Sequence, residues 1–498
     1  MGLATVASRA QNGLDATPVA VEVHVAGGLP GMTIVGLPEA AVRESKDRVR
    51  AALVNAGFQM PASRITVNLA PADLPKEGGR FDLAIAIGIL VASGQISADR
   101  LAHCEFLGEL SLSAELRPIR GALSSSVRAG RDGATLIVPS ENAEEAALAT
   151  DTQVRFAAHL LEICAWLQHE GELPLATPAL PVTAETEGPD LADVLGQHQA
   201  RRALEIAAAG GHSLLMIGPP GSGKSMLASR LPGVLPPMAE TEKLAAAQVL
   251  SIGRDGFSAR CWGQRPFRAP HHTASAPALV GGGAPPRPGE ITLAHAGVLF
   301  LDELPEFQRA VLEALREPLE SGRVVISRAS QQVEYPAAFQ LVAAMNPCPC
   351  GYAGDPEQHC RCTPDQVARY RGRISGPLLD RIDLQIHVAR VSTRELTDRS
   401  QAGEPSASVR PRVIAARSRA IQRQGYANHQ LSGAQLDEHT RLDSGDRQFL
   451  ITAAERLKLS GRGLHRSLRV ARTIADLSGS ERLERTHLTE ALAYRNQL

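Results

Sequence analysis

Valine stands at every second position from Val19 to Val25, and Ile65 to Leu69 repeats the alternation. A period of two places one row of side chains on each face of a pleated strand, so both segments are predicted strands. Ala40 to Ala56 has helical spacing, and Leu83 to Ala92 is apolar throughout, as in a helix buried on every side. Strands followed by helices predict an α/β domain over residues 1–172. Residues 173–189, with repeated Pro, Thr and Glu, read as a linker. From 190 to 390 short apolar strands (Ser213–Ile217, Val298–Leu301, Gln340–Ala344) alternate with helical stretches, the pattern of a parallel sheet wrapped by helices. Residues 391–411 are a second polar linker. Residues 412–498 show helical periodicity alone, in Val413–Gln424, Asp446–Leu457 and Ser467–Leu477.

Composition narrows the classes. The hydrophobic fraction, 44%, suits a buried core, and the 3% aromatic content means that Leu, Ile, Val and Ala build it. With 52 basic and 53 acidic residues the net charge is -1, so nucleic-acid contact must come from local patches and not from a global field. Seven Cys, four of them in one short segment, argue against a secreted disulfide framework and for an intracellular protein with one candidate metal site. Met1 to Gly13 lacks a basic stretch followed by an apolar one, and Leu83 to Ala92 is about half a membrane span. A soluble cytoplasmic protein with no membrane partner is expected.

Gly218, Pro219, Pro220, Gly221, Ser222, Gly223, Lys224 and Ser225 fit G-x-x-x-x-G-K-[ST], between a predicted strand and the helical run that Met226 opens. Glycines let backbone N–H groups turn inward around phosphate oxygens, and the helix N-terminus adds positive partial charge. These eight residues with Met226 are the expected ATP-binding set. Lys224 reaches for the β- and γ-phosphates, and the Ser225 hydroxyl for magnesium. Val298 to Leu301 is an apolar strand capped by Asp302 and Glu303. Such a strand delivers both acids to the carboxyl edge of the sheet, Asp302 to hold Mg2+ and Glu303 to polarise the attacking water. Asn346, at the end of the strand from Gln340, is placed to orient that water. The bland alternatives are a solvated acidic turn and an Asn before Pro347.

Cys348, Cys350, Cys360 and Cys362 form a CxC…CxC pair. Four thiolates satisfy tetrahedral zinc, although the one-residue spacing departs from the commoner two to four. Reduced free thiols and a disulfide remain as alternatives, with His359 as a substitute ligand. Cys104, Cys164 and Cys261 read as isolated small hydrophobes. His271 and His272 read as loop-packing residues.

Several longer stretches carry a resemblance: Arg265 to His272, Gly297 to Phe307, Asn346 to Gly351, Pro377 to Asp383, Ser467 to Asp476, and, nearer the start, Gly31 to Pro38 and Ala70 to Pro75. Together they resemble the YifB-type branch of the magnesium-chelatase-like AAA+ group over nearly the whole chain. The resemblance implies an AAA+ P-loop parallel-sheet core with a C-terminal helical lid, preceded by a Lon-protease-like α/β domain. It implies a homo-hexameric ring with ATP between subunits. Arg381 matches the arginine finger that reaches the neighbouring site, Arg469 the lid arginine at the γ-phosphate, and Asn346 the sensor. The group also resembles the minichromosome-maintenance helicases. Their channel hairpin corresponds to Val324–Ser330, which makes Arg328 the candidate DNA contact. Ala269 to Glu290 corresponds to a channel-facing helix-insert loop.

Competence proteins of this branch are taken as hexameric helicases that drive branch migration of recombination intermediates during natural transformation. The chain is accordingly read as an ATP-dependent motor on single-stranded or branched DNA. A chelatase-like remodeller acting on a protein partner is the second reading. An ATP-dependent protease is the third. In Lon the nucleophilic Ser precedes an apolar helix, but here Arg80, Phe81 and Asp82 stand there. Lys76 and Arg80 read as solvated charges, or as phosphate contacts.

Overall fold

The computed structural model of the chain describes residues 2–178, 188–283, 286–328, 331–355, 357–391 and 403–495. The expected linkers fall partly outside these residues, at 179–187 and 392–402, as does the side chain of Arg328. Two compact units are formed. The first comprises Met1–Val182, Glu240–Gln264 and Val325–Tyr335, and the second Thr183–Ala239, Arg265–Val324 and Pro336–Leu498.

The first unit is built on a seven-stranded mixed sheet in the order Gly31–Val35, Arg64–Ala70, Asp15–Ala26, Gly2–Asn12, Cys104–Phe106, Thr135–Pro139, Val154–Ala157. The predicted alternation is visible: Val19, Val21 and Val23 are buried, whereas Ala20, Glu22 and His24 are not. Helix Asp82–Ala92 lies against the long antiparallel pair and is buried nearly all round. Gly88 permits this closeness, since a Cβ there would sit 2.5 Å from Val23 Cγ2. Helix Glu240–Ile252 packs on Ala122–Arg131, with Ala247 buried among Leu123, Leu148 and Ala149.

Charge is also buried in this unit. Arg9 donates to Glu105 at 2.5 and 2.6 Å and to Asp132 at 2.8 Å. Arg48 holds Asp82 at 2.8 Å. Lys76 and Arg80, read from sequence as solvated charges or phosphate contacts, are buried. Lys76 Nζ donates to the Pro71 carbonyl and Arg80 to the Arg120 carbonyl, the latter at 2.6 Å. Burial pushes Arg80 down to about 10. Their long apolar stems fill space in the core while the heads find carbonyls. Cys261 is a second correction: it is exposed, at the end of a short 3-10 turn, whereas Cys104 and Cys164 are buried.

The second unit holds a five-stranded all-parallel sheet in the order Phe267–Arg268, Val298–Leu301, Gln340–Met345, Leu214–Ile217, Leu384–His387. Numbered along the chain, that order is 2-3-4-1-5. The strands at 214–217, 298–301 and 340–345 are buried at every residue, as a sheet covered on both faces requires. Helices His198–Gly210 and Lys224–Val234 pack on it. Helices Ser406–Gln424, Ser444–Arg456, Gly461–Ser478 and Arg485–Ala493 form the C-terminal part. Its interior is tied by buried Asp476, which accepts from Arg423 at 2.7 Å, Asn428 at 2.8 Å and Arg472 at 3.0 Å. No helix among the described residues is long and apolar enough to cross a membrane.

Candidate nucleotide site

Strand Leu214–Ile217 runs parallel to Gln340–Met345 with Ile217 opposite Met345, and that strand runs parallel to Val298–Leu301 with Leu301 opposite Ala343. Parallel strands end on one edge, so Gly218, Asp302 and Asn346 emerge side by side at the carboxyl end of the sheet. Three stretches far apart in sequence are thereby brought together.

The glycine loop turns at Gly221 and Gly223, with φ of 76° and 89°, a left-handed conformation that glycine adopts at little cost. The helix starts directly at Lys224. Lys224 is buried, and its ammonium donates to the carbonyls of Gly218 at 2.8 Å and Pro219 at 2.9 Å, and to Asn346 Oδ1 at 3.3 Å. Burial pulls its pKa below the ordinary value, against the raising charges of Asp302 and Glu303. The Ser225 hydroxyl donates to Asp302 Oδ2 at 2.5 Å, so two oxygen ligands of the kind magnesium takes already meet. The hydroxyl of Ser222, a residue only 2% exposed, is buried inside the loop with no hydrogen-bond partner. A donor left orphaned beside a buried cation suits a polyanionic ligand. These residues fit a nucleotide triphosphate with Mg2+.

Glu303 sits at φ 54°, and its side chain is 51% exposed. Its Oε2 lies 3.1 Å from the Nδ1 of His272, whose ring is tilted 34° to that of His271 with centroids 4.1 Å apart. His272 at the second acid was not legible beyond its place in the Arg265–His272 stretch. Pro219 and Pro220 lie in the loop and Met226 in the first helical turn.

Arg381 and Arg469 stand elsewhere in the second unit. Arg381 is largely buried, donating to the Pro377 carbonyl at 2.7 Å and to Glu320. It lines a cavity of about 330 Å3 with Glu313, Arg316, Glu317, Glu320 and Ser321. Arg469, on helix Gly461–Ser478, is half-buried with its Nε unpartnered, and burial lowers its pKa. One turn earlier, Arg466 donates to Asp383 at 2.6 Å and to the Arg381 carbonyl at 2.9 Å. Asp383 also accepts from the Ser213 N–H at 3.0 Å and lies 3.4 Å from His212. Burial alone would raise the Asp383 carboxyl, but Arg466 and His212 hold it far below the carboxylate range. This joint between sheet and helices carries no periodicity that would announce it.

The four clustered thiols converge. Their sulfurs all lie within 4.8 Å of one another, and Cys348 is 3.3 Å from Cys350 and 3.7 Å from Cys360. Backbone contacts from Tyr352 and Arg361 hold Cys350 down to about 6. Despite a lowering contact with the Cys350 backbone, Cys362 is pushed up to about 12 by burial and the neighbouring sulfurs. Arg328 ends strand Arg323–Arg328, which pairs with Gln331–Pro336 in a two-stranded ribbon. The loop Ala269–Glu290 contains helix Ala276–Val280 and a small sheet of Gly281–Gly282 with Arg287–Pro288.

Strand order, glycine loop and paired acids define an ATPase core of the AAA+ type. The family model "Magnesium chelatase, subunit ChlI" matches residues 190–396, "Subunit ChlI of Mg-chelatase" residues 21–142, and "Magnesium chelatase, subunit ChlI C-terminal" residues 403–495. The chain is 51% identical over 500 residues to the competence protein ComM of Haemophilus influenzae, covering 99% of this chain and 98% of that protein. It is 50% identical over 498 residues to the uncharacterized protein YifB of Salmonella typhimurium, covering 99% and 97%, and 50% identical over 496 residues to that of Escherichia coli, with the same shares. The chain belongs to the YifB and ComM family of magnesium-chelatase-like AAA+ proteins. Membership implies an ATPase with ATP and Mg2+ as cofactors.

Proposed function

We propose that the chain is an ATP-driven DNA motor, a homo-hexameric helicase that promotes branch migration in homologous recombination during natural transformation. The observation that supports the motor is the meeting of Lys224, Ser225, Asp302 and Asn346 at one sheet edge, with Glu303 beside it. Lys224 would exchange its carbonyl partners for phosphate oxygens, Ser225 and Asp302 would hold Mg2+, Glu303 would polarise the water and Asn346 would align it. Magnesium held there would supply neutralisation of charge on the phosphoryl group. Arg381 is the finger offered to a neighbouring subunit and Arg469 the arginine offered by the lid. Release from Glu320 frees Arg381 for that role. The four thiols suit zinc. The choice of DNA as substrate leans on the full-length similarity to a competence protein and on Arg328 at the ribbon tip, where six copies around a channel would add to a strong local field.

Remodelling of a protein partner is the second reading, favoured by family models that carry a chelatase subunit's name. A protease finds no support, because no hydroxyl residue stands at Arg80–Phe81–Asp82 and Asp82 is committed to Arg48. The deciding experiment measures ATP hydrolysis with and without single-stranded and four-way DNA, alongside strand displacement, with Lys224→Ala as control. Stimulation by DNA and ATP-dependent displacement are expected. ATPase activity indifferent to every DNA would reject the motor on DNA and leave the remodeller.

A further inference from the structure

We propose that a zinc ion held by Cys348, Cys350, Cys360 and Cys362 buttresses the phosphate loop, so that loss of the ion weakens nucleotide binding. The proposal rests on the reading of that loop as the ATP site.

The sulfurs are placed for a metal. Zn–S bonds of about 2.3 Å in a tetrahedron put sulfurs about 3.8 Å apart. The separations among Cys348, Cys350 and Cys360, 3.3, 3.6 and 3.7 Å, lie close to that value, Cys362 Sγ lies within 4.8 Å of each, and all four are free thiols. The loop needs a staple. Among its described residues, none of 352–362 is a buried hydrophobic, so it has no core of its own. Its two ends are fixed in the surrounding structure. Cys348, fully buried, follows Asn346 by two residues, and Thr363 immediately after Cys362 starts the next helix with a reciprocal cap to Gln366.

The same loop presses on the nucleotide site from two sides. Gly351, at φ 89°, approaches Pro220 so closely that a Cβ would lie 2.6 Å from its Cδ. Arg390 Nη2 reaches the Pro220 carbonyl at 3.4 Å and faces Asp355 of the thiol loop at 4.0 Å, while its Nη1 faces Glu357 of that loop at 3.7 Å. At the other end, Asn346 receives Lys224. A crosslink at the four sulfurs therefore limits movement of both Pro220 and Asn346. Without it, the thiol loop keeps its fixed ends and the solvent-facing Arg390 contacts but no core, and gains conformational freedom.

The test uses the full chain purified under reducing conditions without added metal. Elemental analysis is expected to find about one zinc per chain. Cys360→Ser with Cys362→Ser should lose the zinc, keep the far-ultraviolet circular dichroism, and bind a fluorescent ADP analogue at least tenfold more weakly. Gly351→Ala should keep zinc and still weaken binding, because its methyl displaces Pro220. Should the double variant not fold, the parent stripped by a zinc-selective chelator in excess magnesium replaces it, with recovery of affinity expected on zinc return. Nucleotide binding unchanged after zinc loss overturns the buttress. A parent that binds nucleotide but carries no zinc overturns the buttress alone. A parent that carries zinc but binds no nucleotide overturns the ATP-site reading itself.

Discussion

Glu303→Gln separates chemistry from binding in this pocket. The substitution keeps shape and removes the charge. The side chain is half-exposed, and its recorded side-chain partner is His272 at 3.1 Å, itself partly exposed. A pair so solvated contributes about 0.2–1 kcal/mol, and glutamine still offers His272 an oxygen. The melting temperature should therefore fall by less than about 3 °C. Lys224, Ser225 and Asp302 keep their contacts, so ATP affinity should stay within about threefold of the parent. Hydrolysis is different. Removing a general base costs about 100- to 10,000-fold, or roughly 3–5 kcal/mol of transition-state stabilisation. Single-turnover hydrolysis with radiolabelled ATP, beside equilibrium binding of the same nucleotide, reads the two terms separately. Turnover within tenfold of the parent would remove Glu303 from the chemistry. Lost binding would make it a structural residue of the loop.

Lys224→Ala should abolish tight ATP binding in the same equilibrium assay, since the buried ammonium is the cation at the glycine loop; near-parental ATPase activity would disprove the site. Arg328→Ala should lower strand displacement at least fivefold and leave basal ATPase within twofold, and parallel loss of both would point to folding instead. Arg466→Ala strips buried Asp383 of its charged partner but leaves the Ser213 N–H, so a loss of about 3 kcal/mol in thermal or urea unfolding is expected. A depressed carboxyl stabilises above its unfolded value of about 3.9 and loses that contribution as pH falls toward its folded value. The parent should thus lose stability on acidification below about pH 5, and Arg466→Ala should show a smaller acid-dependent loss. An identical acid profile in both would show that Arg466 does not hold Asp383.

What the sequence could reveal followed from range. The glycine loop declares itself because its function needs eight consecutive residues, and Asp302 because an apolar strand points to it. Valine alternation at 19–25 foretold a strand because its period is local. Arg466, Asp383 and His272 were hidden because each is paired across a gap of tens of residues or more, where no periodicity reaches. Lys76 and Arg80 misled for the opposite reason. Charged residues are overwhelmingly exposed, and nothing nearby announced the Pro71 and Arg120 carbonyls that receive them.

The make-up of the first unit has a consequence for how the protein is made. Its helix at 240–252 and the ribbon residues 325–335 are encoded long after residue 182, among the strands of the other unit. A nascent chain elongating at about 5–20 residues per second therefore exposes Leu123, Leu148 and Ala149 uncovered for some seconds before Ala247 emerges, and waits roughly 8–30 s past residue 182 for the ribbon. Translation stalled in that window would leave an apolar patch open to chaperones. A gene cut at the first linker would leave the same patch bare for good.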